Sequence, residues 1–127
     1  MKQIMACVGL LLMLCGCFSE PTLQGKNFEL QNAGAAKITL GFAKDEPRFY
    51  GAVVNRYFGN YKIEGNKIEL SPVGATMMMG PEVEMKAEQE WLQMLPEVVE
   101  YKLDGNILTL KTKTSKEFKL KETKAEE

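Results

Sequence analysis

The stretch YKIEGNKIEL, residues 61–70, has the pattern of a β-hairpin with one buried face. Apolar residues alternate with charged ones on both sides of Gly65-Asn66. Glycine and asparagine tolerate the positive φ that tight hairpin loops require. Alternation with a period of two places the apolar side chains on one face of each strand. The stretch therefore predicts two antiparallel strands joined by a short turn.

A second stretch, YKLDGNILTL, repeats this pattern at residues 101–110, with Asp104-Gly105-Asn106 at the turn. Any hairpin with one buried face needs the same alternation and the same turn residues. Two copies therefore do not by themselves indicate a duplicated functional module. We interpret them as two hairpins of a single sheet.

The remaining alternating segments bring the total to about seven strands. The alternating segments are residues 28–31, 37–42, 48–54, 57–64, 98–103, 107–112 and 116–121, and the strand at 57–64 includes the first arm of the first hairpin. Many short antiparallel strands with one helix predict a mainly β (α+β) fold: a curved antiparallel sheet or small β-barrel-like fold with the helix packed against it.

The predicted helix runs from Pro81 to Leu95. Proline suits the first turn, where its missing N–H has no helical partner, and Pro96 ends the helix. A helical projection places four apolar residues on one face: Met85, Trp91, Leu92 and Leu95. Glu88 falls in the middle of this face, so it is a candidate for a special role.

The chain begins MKQIMACVGLLLMLCGC, which has the short apolar run of a secretion signal. Leu14-Cys15-Gly16-Cys17 is similar to the lipobox of bacterial lipoproteins. This similarity implies cleavage after Gly16 and attachment of acyl chains, including palmitate, to Cys17. Several acyl chains on one residue give stable membrane anchoring. The alternative is an ordinary secreted protein with an unmodified Cys17.

The sequence therefore divides into four parts. We predict that residues 1–16 are a lipoprotein signal peptide and that residues 17–26 are a lipidated N-terminus and a tether that needs no structure. Residues 27–121 form the domain, and residues 122–127 are a charged tail that we expect to be disordered because it lacks large apolar side chains.

Composition excludes several classes of function. The chain has no histidine, and its three cysteines all lie at or before Cys17, so the domain has no disulfide. Histidine is the commonest general base and a common metal ligand, and we predict neither a metal nor any other cofactor. Its 16 basic and 17 acidic residues nearly balance, which gives no electrostatic basis for nucleic-acid binding.

Three blocks of sequence occur in the order and spacing of a known family. They are residues 55–61 running into Gly65-Asn66, residues 76–81, and the following helix with Glu88, Trp91 and Leu95. From Ile38 to Leu120 the chain resembles the META domain, a family that includes the bacterial heat-shock HslJ-like lipoproteins. The resemblance implies a compact barrel-like sheet with one helix, and many such proteins are lipid-anchored envelope proteins.

Three positions depart from the family pattern. Many members carry cysteine at the places of Val54 and Gly80, and arginine at the place of Met77. The absence of both cysteines fits a domain without a disulfide.

The motif blocks supply the candidate site, which is a structural or binding motif rather than a catalytic one. Its members are Asn55, Arg56, Tyr57, Gly59, Thr76, Met78 and Glu88. Asn55 and Arg56 would bind a ligand, or Asn55 would hold a bend through hydrogen bonds to nearby backbone, which we favour. An unpaired buried carboxylate is costly, so we expect Glu88 to accept hydrogen bonds from Arg56 or from amides near Thr76. The alternative for Glu88 is a buried acid of a catalytic site.

Met77, Met78 and Met79 also allow two interpretations. We favour methionines that fill gaps where the helix meets the sheet, with at least one side chain facing solvent. The alternative is an adaptable contact surface, because thioether side chains repack easily against different partners.

The similarity to a lipobox, the META resemblance and the lack of a nucleophile–base pair or ligand cluster together imply a non-enzymatic, lipid-anchored envelope protein with an accessory or stress-response role through contacts with envelope components. We expect a monomer that meets the membrane through its anchor and has an unidentified envelope protein as partner. Phe18 after Cys17 favours the outer membrane, facing the periplasm, in a cell with two membranes. The alternatives are a lipocalin-like binder of a small ligand, a lysozyme-type enzyme inhibitor, and an enzyme with paired carboxylates.

Overall fold

Eight strands follow one another around a closed barrel in a computed structural model that describes residues 22–34 and 36–124. The strands are β1 (Asn27–Leu30), β2 (Thr39–Phe42), β3 (Arg48–Ala52), β4 (Arg56–Glu64), β5 (Lys67–Ala75), β6 (Val98–Asp104), β7 (Ile107–Thr112) and β8 (Glu117–Thr123). Each strand pairs antiparallel with the next, and β8 pairs with β1. Between β5 and β6 the pairing is short, with Lys67 opposite Glu100. The predicted mainly β barrel with one helix is confirmed, with eight strands instead of about seven.

Both repeated stretches form hairpins with the same register. Tyr61 pairs with Leu70 across β4 and β5, and Tyr101 pairs with Leu110 across β6 and β7. The two turn glycines have φ of 64° and 65°, whereas the neighbouring asparagines are not in the left-handed region. A positive φ at the first loop position is the requirement of a type II′ turn, which glycine meets at no steric cost.

Large side chains from alternate strand positions fill the barrel. Fully buried members are Phe28, Leu40, Phe42, Phe49, Tyr57, Leu70, Leu108, Leu110 and Leu120. The Phe42 ring meets the rings of Phe28 and Tyr61 edge to face, at centroid distances of 6.1 and 5.1 Å. Such edge-to-face pairs are favourable beyond the area that they bury. The interior is therefore a packed core.

One helix, α1 (Glu82–Met94), closes one end of the barrel and continues into a 3₁₀ turn (Leu95–Glu97). Pro81 stands at the N-cap position, and Trp91 and Leu95 are buried in the core. The Trp91 indole N–H donates a hydrogen bond of 2.8 Å to the Tyr57 hydroxyl of β4. We call this end of the barrel the helix pole.

The segment before β1 closes the opposite end. Leu23 is 1% exposed and belongs to the core, and it lies beside Tyr61 and the Gly65-Asn66 turn. The Gly25 N–H donates to the Phe42 carbonyl at 2.9 Å, which holds the segment on the sheet. The tether was predicted to need no structure, and residues 22–26 differ from this because Leu23 buries its side chain in the core and Gly25 bonds the sheet. We call this end the hairpin pole.

The C-terminal boundary also differs from the prediction. Strand β8 extends to Thr123, and Glu122 and Thr123 pair with Phe28 and Asn27 of β1. The prediction of a disordered tail was wrong for these two residues, because their backbone groups complete the closure of the barrel. The predicted signal peptide, Cys17 and residues 125–127 lie outside the described residues. No helix in the part that is described is long and apolar enough to cross a bilayer.

Leu23 supplies a test of the closed hairpin pole. We expect Leu23→Ala to lower the free energy of unfolding by about 2 to 4 kcal/mol, because a buried leucine leaves a cavity. The exposed Val73, truncated to alanine, is the matched control and should cost less than about 1 kcal/mol. Urea unfolding followed by tryptophan fluorescence measures both. Equal losses in the two variants would show that Leu23 is not part of the core.

Candidate functional site

Glu88 ties the helix to the turn between β3 and β4. Its Oε1 accepts hydrogen bonds from the backbone N–H groups of Val54, at 3.0 Å, and Asn55, at 2.6 Å. Its Oε2 accepts a third bond, from the Asn55 side-chain amide at 2.8 Å. Glu88 is only 7% exposed, so these donors replace the water that both carboxylate oxygens lose on burial.

Asn55 extends the network to the segment before the helix. Its Oδ1 accepts bonds from the Met78 N–H at 2.5 Å and from the Thr76 hydroxyl at 2.8 Å. Its Nδ2, besides bonding Glu88, donates to the Met78 carbonyl at 3.1 Å. The Asn55 side chain, which is 3% exposed, thus hydrogen-bonds both the N–H and the carbonyl of Met78, a residue 23 positions later in the chain.

The outcome for Asn55 and Glu88 differs in detail from the expectations. Glu88 has hydrogen-bond partners, but they are Val54 and Asn55 instead of Arg56 or an amide near Thr76. Asn55 bonds backbone that is distant in sequence, so it joins two segments instead of holding a local bend. The reason is that the barrel brings the β3–β4 turn and the end of β5 together at the helix pole.

Arg56 enters the network through its backbone only. Its N–H donates to the Thr76 hydroxyl at 3.1 Å, and its carbonyl accepts from the Thr76 N–H at 3.0 Å. The Arg56 side chain is exposed on the outer face of the barrel. The structure therefore brings together Asn55, Thr76, Met78 and Glu88, and leaves the Arg56 guanidinium outside this cluster.

Tyr57 and Gly59 face the barrel interior instead of the cluster. The Tyr57 hydroxyl donates to the Thr39 carbonyl and accepts from Trp91. Burial raises the pKa of the Tyr57 phenol, so this group stays protonated as a donor at neutral pH. A Cβ at Gly59 would lie 2.3 Å from the Ser71 carbonyl oxygen and 2.5 Å from the Phe49 ring, so only glycine fits.

The three methionines lie on the surface. We call residues 76–80 the methionine loop; Met77 is 94% exposed, Met78 57% and Met79 89%. The favoured interpretation, in which they fill gaps between helix and sheet, was wrong. Because Asn55 holds the Met78 backbone from inside, the three methionine side chains point outward.

Val54 and Gly80 occupy neighbouring places, which the sequence did not reveal. A Cβ built on Gly80 would lie 3.6 Å from the Val54 Cβ and 2.8 Å from its Cγ1. The first distance is close to the mean Cβ separation of a disulfide, about 3.8 Å. The positions at which the resemblance implies cysteines are therefore adjacent, and here the valine side chain packs over the glycine instead.

These groups make a structural cluster. Both Glu88 oxygens are occupied by donors, so this carboxylate is not directed at solvent. Within residues 22–34 and 36–124, no group of three or more histidine, cysteine, aspartate or glutamate side chains is placed to hold a metal ion. What the cluster presents to solvent is the methionine loop.

The sequence of residues 19–125 matches the family model of the META domain. The chain belongs to the META domain family. The match is wider than the predicted domain of residues 27–121, as expected if the segment with Leu23 and the end of β8 are parts of the fold. No curated protein matches this META domain.

Solved structures share the fold at low sequence identity. A protein from Burkholderia xenovorans, solved by NMR, is 16% identical with a TM-score of 0.66 over 81% of this chain and 85% of that one. A duf4847 family protein from Bacteroides vulgatus, solved by crystallography, is 17% identical with a TM-score of 0.54 over 70% and 61% of the two chains. A third protein, solved by NMR, is 22% identical with a TM-score of 0.57 over 78% and 90%. These similarities concern the fold alone.

A double-mutant cycle tests the cluster. We expect Glu88→Ala to cost about 2 to 4 kcal/mol of unfolding free energy, because it leaves buried donors without an acceptor. Asn55→Ala and Glu88→Ala should couple by about 1 to 3 kcal/mol, since the two side chains share hydrogen bonds. Asn60, an exposed asparagine of β4, is the matched control and should couple to Glu88 by less than about 0.5 kcal/mol. Additive losses for the Asn55 pair would refute the network.

An engineered disulfide tests the placement of the methionine loop. In a chain without residues 1–16 and with Cys17→Ser, we expect Val54→Cys with Gly80→Cys to form a disulfide under air oxidation. The bridge should raise the free energy of unfolding by about 3 kcal/mol relative to the reduced form, because it closes a long loop. Thiol titration and thermal unfolding with and without reductant measure both effects. Two titratable thiols that persist after oxidation would contradict the Val54–Gly80 contact.

Proposed function

We propose that this META domain is a non-enzymatic, lipid-anchored protein of the bacterial envelope that acts by protein contact through its methionine loop. The observation that carries the proposal is the combination of three exposed methionines with a backbone held from inside by Asn55. A held loop loses little entropy when it binds, and thioether side chains adapt to the shape of a partner.

The surroundings of the loop support a contact surface. Val83, in the first turn of α1, is 64% exposed and adds a fourth apolar side chain close in sequence. Adjacent exposed apolar side chains are uncommon on monomeric proteins unless they have a binding role. We propose a partner with an apolar patch of its own, because the methionine side chains carry no charge that would select an ionic surface.

The position of the loop relative to the proposed anchor supports the same proposal. Thr22 lies at the hairpin pole, and the five steps from Cys17 to Thr22 reach at most about 18 Å. Strand β4, which runs from the helix pole to the hairpin pole, has nine residues, or about 20 Å along a barrel axis. An anchor at Cys17 would hold the hairpin pole toward the membrane and present the methionine loop away from it.

A loop-inserting enzyme inhibitor is the second candidate, and one observation favours it. The methionine loop is both exposed and fixed, as a loop that enters the cleft of an enzyme needs to be. It differs from the first candidate only in the partner that the loop contacts. A lipocalin-like function has less support, because side chains fill the barrel that would hold the ligand.

Mass spectrometry of the protein from membranes tests the anchor. We expect residues 1–16 to be absent and Cys17 to carry acyl chains, with incorporation of labelled palmitate. Cys17→Ser is the control and should abolish labelling and release the protein from the membrane fraction. A free thiol at Cys17 in the mature protein would refute the anchor.

Photo-crosslinking in intact cells tests the contact surface. We expect benzoylphenylalanine at Met79 to give a discrete protein adduct, because Met79 is almost fully exposed at the helix pole. The same probe at the exposed Lys62, near the hairpin pole, is the matched control. Adducts of equal yield from both positions, or adducts to lipid from Met79, would contradict the proposed surface.

A further inference from the structure

Exposure divides the methionines of the described residues into two groups. Met77 and Met79 are about nine-tenths exposed and Met78 more than half, whereas Met85 and Met94 in α1 are partly covered by the barrel. Oxidation of a thioether requires that the oxidant reach the sulfur, so susceptibility follows exposure. The three loop sulfurs are therefore the most accessible ones.

Free thiols and the tryptophan, the other readily oxidised side chains, do not compete with the three loop sulfurs in the proposed mature protein. Thiolates are commonly the most reactive targets in a protein, but all three cysteines lie at or before Cys17. With Cys17 acylated, as proposed above, the mature chain would have no thiol. Trp91, the single tryptophan, is 3% exposed. The methionine loop would thus be the first place at which a two-electron oxidant reacts.

We propose that Met77, Met78 and Met79 form a reversible oxidation site that controls the methionine loop, with a hypohalous acid as the oxidant. The sulfur donates an electron pair to the oxygen of HOCl, and the O–Cl bond breaks. Chloride leaves with both electrons of that bond, and the hydroxyl proton goes to solvent. The products are methionine sulfoxide, chloride and a proton. Reduction by methionine sulfoxide reductases restores the thioether.

The hydrogen bonds between Asn55 and the methionine loop confine the effect of oxidation to the surface. Asn55 holds Met78 through its backbone N–H and carbonyl, and these bonds do not involve the sulfur atoms. Oxidation of exposed side chains therefore leaves the cluster with Glu88 and the barrel core unchanged. It changes the surface, because a sulfoxide is polar and a strong hydrogen-bond acceptor where a thioether is apolar.

The inference rests on the proposed function, since it assigns regulation to the same surface. In the reduced state the loop presents three apolar, adaptable side chains to a partner. In the oxidised state it presents three polar ones, which lose solvation if an apolar partner covers them. Oxidation would therefore release the partner while the protein stays folded.

Peptide mass spectrometry of the mature lipidated protein tests the oxidation site itself. With limiting hypochlorous acid, we expect Met77 and Met79 to form sulfoxide at least about fivefold faster than Met85 and Met94, because rates follow exposure. The same reaction in urea is the control and should remove the difference. The oxidised protein should keep its thermal midpoint. Equal rates for loop and helix methionines in the folded protein would overturn the proposal.

Crosslinking before and after oxidation tests whether oxidation regulates the contact between the methionine loop and its partner. Benzoylphenylalanine at Val83 lies beside the loop and leaves its methionines intact. We expect oxidant to reduce the adduct severalfold, and methionine sulfoxide reductase to restore it in a membrane preparation. Replacing all three loop methionines with leucine is the matched control, since leucine stays apolar and is not oxidised; its adduct should survive.

The outcomes separate this inference from the proposed function. Absence of any adduct before oxidation, with selective sulfoxide formation at the loop, would refute the contact and leave the oxidation site supported. Equal loss of adduct in the methionine and leucine proteins would overturn the regulatory role, because the oxidant would then act elsewhere.

Discussion

The carboxylate of Glu88 is the interaction on which the helix pole depends. It accepts three hydrogen bonds from Val54 and Asn55, and so joins α1 to the turn between β3 and β4. Asn55, fixed by this carboxylate, then holds the Met78 backbone. A polar residue in the middle of an apolar helix face is costly unless it has partners, and here its partners position the surface loop. The position of the exposed methionine loop is thus tied, through Asn55, to one buried acid.

The barrel itself is closed at its two ends by different means. At the helix pole, Trp91 and Leu95 cover the core, and the bond between Trp91 and Tyr57 ties the helix to β4. At the hairpin pole, Leu23 in the segment before β1 covers the core. An eight-stranded barrel is just wide enough for its own side chains to fill, so small closures suffice. Because side chains fill the interior, it has little room for a ligand, and the outer surface is the better candidate for a contact.

The two poles also differ in what they offer to other molecules. The hairpin pole receives the chain from its N-terminal side, and the helix pole carries the methionine loop. Under the proposed function, attachment and contact would lie at opposite ends of the barrel, with the barrel as the spacer between them. The proposed oxidation would act at the helix pole, because the described methionines with high exposure are in the methionine loop.

The sequence by itself determined the local structure: both hairpins, the helix after Pro81 and the mainly β class follow from periodicity and turn residues, which depend on neighbours in the chain. It also singled out Glu88 as out of place on an apolar face and named Asn55 as a member of the candidate motif. Only the tertiary structure decided their partners, the contact of Val54 with Gly80, the burial of Leu23 and the pairing of Glu122 in β8. Each of these joins groups that are distant in sequence, and alternation carries no information on such pairings. The exposure of Met77 to Met79 was decided in the same way, because it follows from Asn55 holding the loop backbone.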